Sequence, residues 1–176
     1  VSALHAGDPA SFAADVLEEG PAEPEHEPGI ASRRPAKTSA GGALIRDSAG
    51  RVLFVVPTYK AVLDIPGGMT EADESPKAAT VREIREELGL DVELGPLLVV
   101  DWTPGNGVWR DCHQFVFDGG VIDNATAHDD ELAGVVYLTL DEARPRIYPS
   151  LHRRLSLALR ALESGSTHYA EFGRQV

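Results

Sequence analysis

From Ser39 onward, short apolar runs alternate with clusters of turn-forming residues. Residues 43–45 and 52–56 flank Asp47-Ser48-Ala49-Gly50, a pattern that predicts a hairpin. Residues 61–65 predict a short strand leading into a glycine turn. Residues 91–94 and 97–102 read as two strands broken at Gly95-Pro96. Residues 111–117 predict another strand, with Val121-Ile122 as a short extension, and residues 134–140 a further one. In two places the period becomes helical. Val81, Ile84 and Leu88 form an apolar stripe between Ser75, a good N-cap, and Gly89, a good left-handed stop. Pro76 suits the first helical position. In residues 149–163, Leu151, Leu155, Ala158, Leu159 and Leu162 share one side. Residues 141–144 predict a short capped turn of helix stopped by Pro145. Strands around two substantial helices predict an α+β layered sandwich.

The ends of the chain lack this pattern. Residues 1–36 open without Lys or Arg as far as Ile30, and the stretch from Pro21 to Gly29 is rich in Pro and Glu. Such a segment buries too little to build a core and predicts a tail. One piece of it has helical grammar: Asp8 can cap, Pro9 can start, and Phe12, Val16 and Leu17 would share a side. Residues 37–163 form the expected domain, and residues 164–176, which show no period, the expected C-terminal tail.

The first helix gathers charge as well as apolar surface. Glu83, Glu86 and Glu87 are spaced i, i+3, i+4 and so lie on one face, where like charges repel. Taken alone, such a run is most simply a solvated acidic face. The preceding residues change that reading. Asp64-Ile65-Pro66-Gly67-Gly68 is a turn that lets backbone carbonyls approach an ion closely, and Glu74 lies on the loop entering the helix. Gly68, Glu74, Arg82, Glu83, Ile84, Glu86, Glu87, Gly89 and Leu90 together complete the pattern G-x5-E-x7-R-E-U-x-E-E-x-G-U, where U is aliphatic.

This pattern resembles the signature of the Nudix hydrolases (the MutT-like family) at every defining position. The resemblance covers residues 36–163 and implies an α/β/α sandwich around a mixed sheet. It also implies hydrolysis of a diphosphate linkage with Mg²⁺ or Mn²⁺. By the resemblance, Glu83, Glu86 and Glu87 hold the metal and supply the base. The carbonyl of Gly67 or Gly68 is a further ligand, and Arg82 orients the carboxylates with Glu74 as its ion-pair partner. Many Nudix enzymes take another carboxylate from a later loop, for which Glu131 is the first candidate and Asp130 the second.

Composition narrows the partners. The chain has 176 residues, 43% hydrophobic and 25% charged, as expected for one globular domain. A formal net charge of −12 argues against nucleic acid or an anionic membrane as partner, because both need a basic surface. A small phosphorylated molecule remains, attracted locally by metal and a few basic side chains. The single cysteine, Cys112, fits a reducing compartment, and no signal peptide or membrane-spanning run is visible, so a cytoplasmic protein is expected. A homodimer is left open.

The loop between Trp102 and Trp109 is the expected source of selectivity. Its two tryptophans could stack on a base, and Pro104 falls about where ADP-ribose-type Nudix enzymes carry a proline. Arg110, Tyr59 and Lys60 are further candidate contacts. The function expected is hydrolysis of a nucleoside diphosphate linked to another moiety, ADP-ribose-like in character. Alternatives are a nucleoside triphosphate pyrophosphohydrolase, a prenyl diphosphate isomerase, or a nucleotide sensor without turnover. The isomerase needs a protonating Cys and Glu that Cys112 does not provide. The sensor would usually lack motif glutamates that are all present here.

Overall fold

The run Val52-Leu53-Phe54-Val55 has no polar position, so a strand built from it needs apolar cover on both faces. The computed structural model, which describes residue 16, residues 18–21 and residues 23–176, supplies that cover. The helix expected between Asp8 and Leu17 falls, save for Val16, outside the described residues. A four-residue helix α1 (Ile30–Arg33) precedes the sheet. The strands are β1 (Thr38–Arg46), β2 (Val52–Pro57), β3 (Gly67–Met69), β4 (Leu97–Thr103), β5 (Cys112–Val121), β6 (Leu132–Leu138), β7 (His168–Glu171) and β8 (Arg174–Gln175). They form one sheet in the order β6-β2-β1-β5-β4-β7-β8, with β3 paired to β1 off that path. The sheet is mixed: β1 runs parallel to β5, and β4 parallel to β7, while the other pairs are antiparallel.

Two long helices cover it, α2 (Pro76–Leu88) and α4 (Pro149–Ser164), with a short α3 (Leu140–Ala143) and a 3-10 turn (Arg144–Arg146) before the second. Alternation along the strands divides the core between them. Leu44, Val52 and Phe54 pack with Leu151, Leu155 and Ala158 of α4. Ala43, Ile45, Leu53 and Val55 pack with Ile84 and Leu88 of α2. The α/β/α sandwich expected from the sequence is therefore present.

The motif helix has the ends its sequence predicts. Ser75 Oγ accepts from Ala78 N, Pro76 occupies the first turn, and Gly89 is left-handed at φ 67°. The helix lies unusually close to β1. A Cβ on Gly41 would sit 2.2 Å from the Pro76 carbonyl oxygen and 2.3 Å from Thr80 Oγ1, so only glycine lets α2 seat there.

Some expectations are corrected. Residues 91–94 form no strand; Leu94 is buried, but strand pairing begins only after Pro96, at Leu97. Residues 61–65 contribute one bridge, Asp64 to Val55, and the strand proper is β3 inside the glycine turn. The strand expected over residues 134–140 lies at Leu132–Leu138. Residues 164–176, expected as a tail, carry β7 and β8 and extend the sheet beyond β4. Only Ala170 of β7 is buried, so the segment has no amphipathic period to read and is placed by its pairing with β4.

Gly41→Ala should lower stability by about 1–3 kcal/mol, the usual cost of overpacking. The readout is the urea midpoint. An unchanged midpoint would mean that α2 does not sit so close to β1.

Candidate active site

Three acidic side chains on one helix face need an organiser, and Arg82 is that organiser. Its Nε donates to Glu74 Oε1 at 2.9 Å and its Nη2 to Glu74 Oε2 at 3.0 Å, a bidentate pair. Nη1 donates to Glu83 Oε1 at 2.9 Å and to Glu86 Oε2 at 3.0 Å, and Nη2 also reaches the Met69 carbonyl at 3.1 Å. These bonds use the full donor capacity of a guanidinium. Hydrogen bonds from Arg82 hold the Glu74 carboxyl below its usual range. Arg82 thus links the loop residue Glu74 to the helix residues Glu83 and Glu86.

The glycine turn closes on the same helix. A Cβ on Gly68 would sit 2.3 Å from Glu83 Oε1, so the turn can lie against that carboxylate only without a side chain. Gly67, at φ 143°, donates its N–H to Glu87 Oε2 at 3.0 Å. Burial pushes the Glu87 carboxyl up from 4.5 to about 8, with Glu83, Asp129 and Asp64 adding like-charge repulsion against the Gly67 hydrogen bond. Burial also raises the Glu83 carboxyl, against the pull of Arg82.

These groups line a cavity of about 520 Å³ whose wall includes Gly67, Gly68, Glu83, Glu86 and Glu87. The loop before β6 adds Asp129 and Glu131. Of the two residues expected from this loop, Glu131 lines the cavity and Asp130 does not; the neighbour of Glu131 on the wall is Asp129. Glu131 N donates to Asp129 Oδ1 at 3.0 Å, a local turn that turns Asp129 inward and leaves Asp130 exposed. Alternate placement within a tight turn was not readable from a run of three acids.

An all-oxygen set of carboxylates beside a glycine turn suits a hard divalent cation, and burial of Glu87 among other carboxylates leaves a charged form that a cation would stabilise. Among the described residues no three acidic, His or Cys side chains already converge as a cage. Arg82 engages one oxygen each of Glu83 and Glu86, which leaves the second oxygen of each carboxylate to a cation.

A second cavity, of about 220 Å³, adjoins the first, sharing Tyr59, Gly67, Gly68 and Met69. It carries Lys60, one of the expected contacts, paired with Asp64 at 2.7 Å. The Trp102–Trp109 loop lies elsewhere. Trp102 Nε1 donates to Asp111 Oδ2 at 3.0 Å, and Trp109 is 70% exposed. Neither tryptophan, nor Pro104 or Arg110, lines either cavity. Sequence reasoning took these aromatics as a stacking platform because the loop follows β4, but Trp102, one register step from the row of Asp101, Gln114 and Ala40, turns its indole N–H to Asp111 instead. It missed Arg154, a charged residue on the buried stripe of α4 that reaches the second cavity.

A mixed sheet between two helices, with a glycine turn and a carboxylate-bearing helix against its first strand, is the arrangement of a Nudix-type domain. The NUDIX domain model matches residues 36–159, and the chain belongs to that family. A "MutT-like protein" from Streptomyces ambofaciens is 30% identical over 130 residues, covering 74% of this chain and 79% of the relative. Among solved structures, a UDP-X diphosphatase superposes with a TM-score of 0.65 at 20% identity, over 92% of this chain and 74% of that one. An ADP-ribose pyrophosphatase from Streptococcus suis superposes with a TM-score of 0.60 at 21% identity, over 77% of this chain and 99% of that one. The protein is a Nudix hydrolase.

The raised Glu87 carboxyl has a measurable consequence without metal. In the folded chain Glu87 keeps a proton that the unfolded chain loses near its ordinary value, so rising pH between 4.5 and about 8 favours unfolding. In excess chelator, the denaturant midpoint should fall across that window, and Glu87→Gln should flatten the fall. A slope untouched by the substitution would assign the pH dependence to other groups.

Proposed function

We propose that the protein hydrolyses the diphosphate linkage of a nucleoside diphosphate joined to another moiety, with Mg²⁺ or Mn²⁺ bound at Glu83, Glu86, Glu87 and a carbonyl of Gly67 or Gly68. The observation that carries this reading is the pair of adjoining cavities meeting at Gly67–Met69. One is walled by carboxylates suited to a metal-held diphosphate, and the other is a smaller recess for a ring. Ligand pockets for whole drug-sized molecules run to about 300–1,000 Å³, so a recess of about 220 Å³ suits one ring of such a substrate. Proteins of known structure with this fold include a UDP-X diphosphatase and an ADP-ribose pyrophosphatase, whose substrates are both of this class.

Bound metal neutralises phosphoryl oxygens and acidifies a water molecule. The chain's own residues set the stage for that chemistry. Arg82 keeps Glu83 and Glu86 in register and Glu74 keeps Arg82 in place. Glu87, whose carboxyl titrates near neutrality without metal, is positioned to hold or release a proton at its Oε atoms. Glu131 and Asp129, which line the same cavity, are further candidate carboxylates for this chemistry. The expected ADP preference rests on the Trp102–Trp109 loop, which the cavity walls do not include.

Turnover should vanish in excess chelator and return with Mg²⁺ or Mn²⁺. Glu86→Gln and Glu87→Gln should retain the fold and lose activity by several orders of magnitude. Near-normal rates in both variants would mean the carboxylates are not the catalytic centre. In ¹⁸O water the label should enter a phosphate product; label only on an alcohol or sugar carbon would contradict attack at phosphorus.

A further inference from the structure

A buried arginine in an apolar layer needs a reason. Arg154 lies on the core-facing stripe of α4 and is 7% exposed. Its Nε donates to Asp101 Oδ2 at 2.7 Å. Asp101 is wholly buried, and its other oxygen accepts from Gly173 N at 2.8 Å. Both carboxylate oxygens are thereby engaged and the guanidinium is anchored through one edge. Among the described residues, its two terminal nitrogens have no protein acceptor. They are not among the buried polar atoms left without a partner, so some solvent reaches them, and Arg154 lines the cavity of about 220 Å³.

The sheet beneath explains the placement. Ala40, Gln114, Asp101 and Ala170 are register partners across β1, β5, β4 and β7, so their side chains rise in one row on the α4 side. Gln114 also lines the cavity. Its Nε2 donates to Cys112 Sγ at 3.4 Å, while that thiol donates to the His113 carbonyl at 3.6 Å. The amide is oriented by these contacts, and its Oε1 is an acceptor with no protein donor among the described residues. The recess thus combines guanidinium donors and an amide acceptor with apolar walls such as Ile65 and Val116.

The charges in the recess are already balanced. Asp101 neutralises Arg154, and Asp64 pairs with Lys60 at 2.7 Å. A neutral ring with polar edges fits better than a second anion, whose charge would find no uncompensated cation. Arginine donates to carbonyl acceptors such as the O6/N7 edge of guanine, and an amide oxygen accepts from an adjoining ring N–H. Guanine and uracil both present a carbonyl next to an N–H. Adenine presents an amino donor next to a bare ring nitrogen, which opposes the same pattern.

We propose that Arg154, anchored by Asp101, and Gln114 are the base-selecting residues, and that they favour a nucleotide whose base carries a carbonyl beside an N–H, guanine or uracil, over adenine. This rests on the hydrolase reading for the position of the diphosphate, and it names the substrate class of that site.

The test varies only the base: GDP-glucose, UDP-glucose and ADP-glucose as substrates, and GMP, UMP and AMP as metal-free ligands measured by calorimetry. The wild type should favour GDP-glucose or UDP-glucose over ADP-glucose in kcat/KM by about tenfold or more. The matching monophosphate should bind more tightly than AMP by a similar factor. Arg154→Met should bring both ratios close to one, through a larger loss of kcat/KM for GDP-glucose or UDP-glucose than for ADP-glucose. An arginine that only braces α4 would instead lower all substrates together and leave the ratios intact. Should Arg154→Met fail to fold, Gln114→Leu replaces it and should also cut the ratios. Equal or ADP-favouring wild-type ratios, or ratios unchanged in the folded variant, would overturn the proposal. If no glucose compound is hydrolysed, yet GMP or UMP outbinds AMP in an Arg154-dependent way, the hydrolase substrate reading fails and the base selection stands.

Discussion

Carboxylates brought to one helix face repel, and this protein depends on how that repulsion is held in check. Arg82 binds Glu74 with two parallel hydrogen bonds and distributes its remaining donors among Glu83, Glu86 and the Met69 carbonyl. Glu87 lies outside that network, tied among the described residues to the Gly67 N–H, and burial, with a smaller part from neighbouring carboxylates, raises its carboxyl. The arrangement is stable as a helix because α2 docks Ile84 and Leu88 on the sheet. An isolated segment with this charge pattern would gain little from helix formation. Packing thus maintains an electrostatic tension that a divalent cation would discharge.

The turn from Gly67 to Met69 joins this helix to the rest of the molecule. As β3 it pairs with β1 at Gly42, Gly41 and Ala40, and those glycines allow both the turn and α2 to approach the strand. The same residues border both cavities. One short stretch therefore couples the acidic wall, supplied by α2, to the recess under α4 on the opposite face of the sheet. The C-terminal strands contribute to that recess indirectly: Gly173, next to β8, donates to the carboxylate that holds Arg154. A segment distant in sequence from the motif thus braces the recess beside it.

Much of this was legible in the chain. The caps of α2, the two apolar stripes, the hairpin at Asp47–Gly50 and the glycine–carboxylate signature depend on local spacing and local backbone preference, which sequence records directly. The family and its sandwich follow from that signature, and the placement of Arg82, Glu83, Glu86 and Glu87 on one wall follows from helical periodicity. What only the tertiary structure decided depends on non-local pairing. β7 has a single buried side chain, so nothing in its period marks it, and its partner β4 lies about seventy residues earlier. Arg154 looks like a blemish on an amphipathic helix until Asp101, 53 residues away, is seen beneath it. Asp129 and not Asp130 faces the acidic cavity because a tight turn sets the direction of each side chain. Trp102 gives its indole N–H to Asp111 and Trp109 stands exposed, so neither lines a cavity, which a linear pattern of aromatics does not encode. Local chemistry was written in the order of residues; which distant groups meet around it was settled by strand register and the close seating of helices on the sheet.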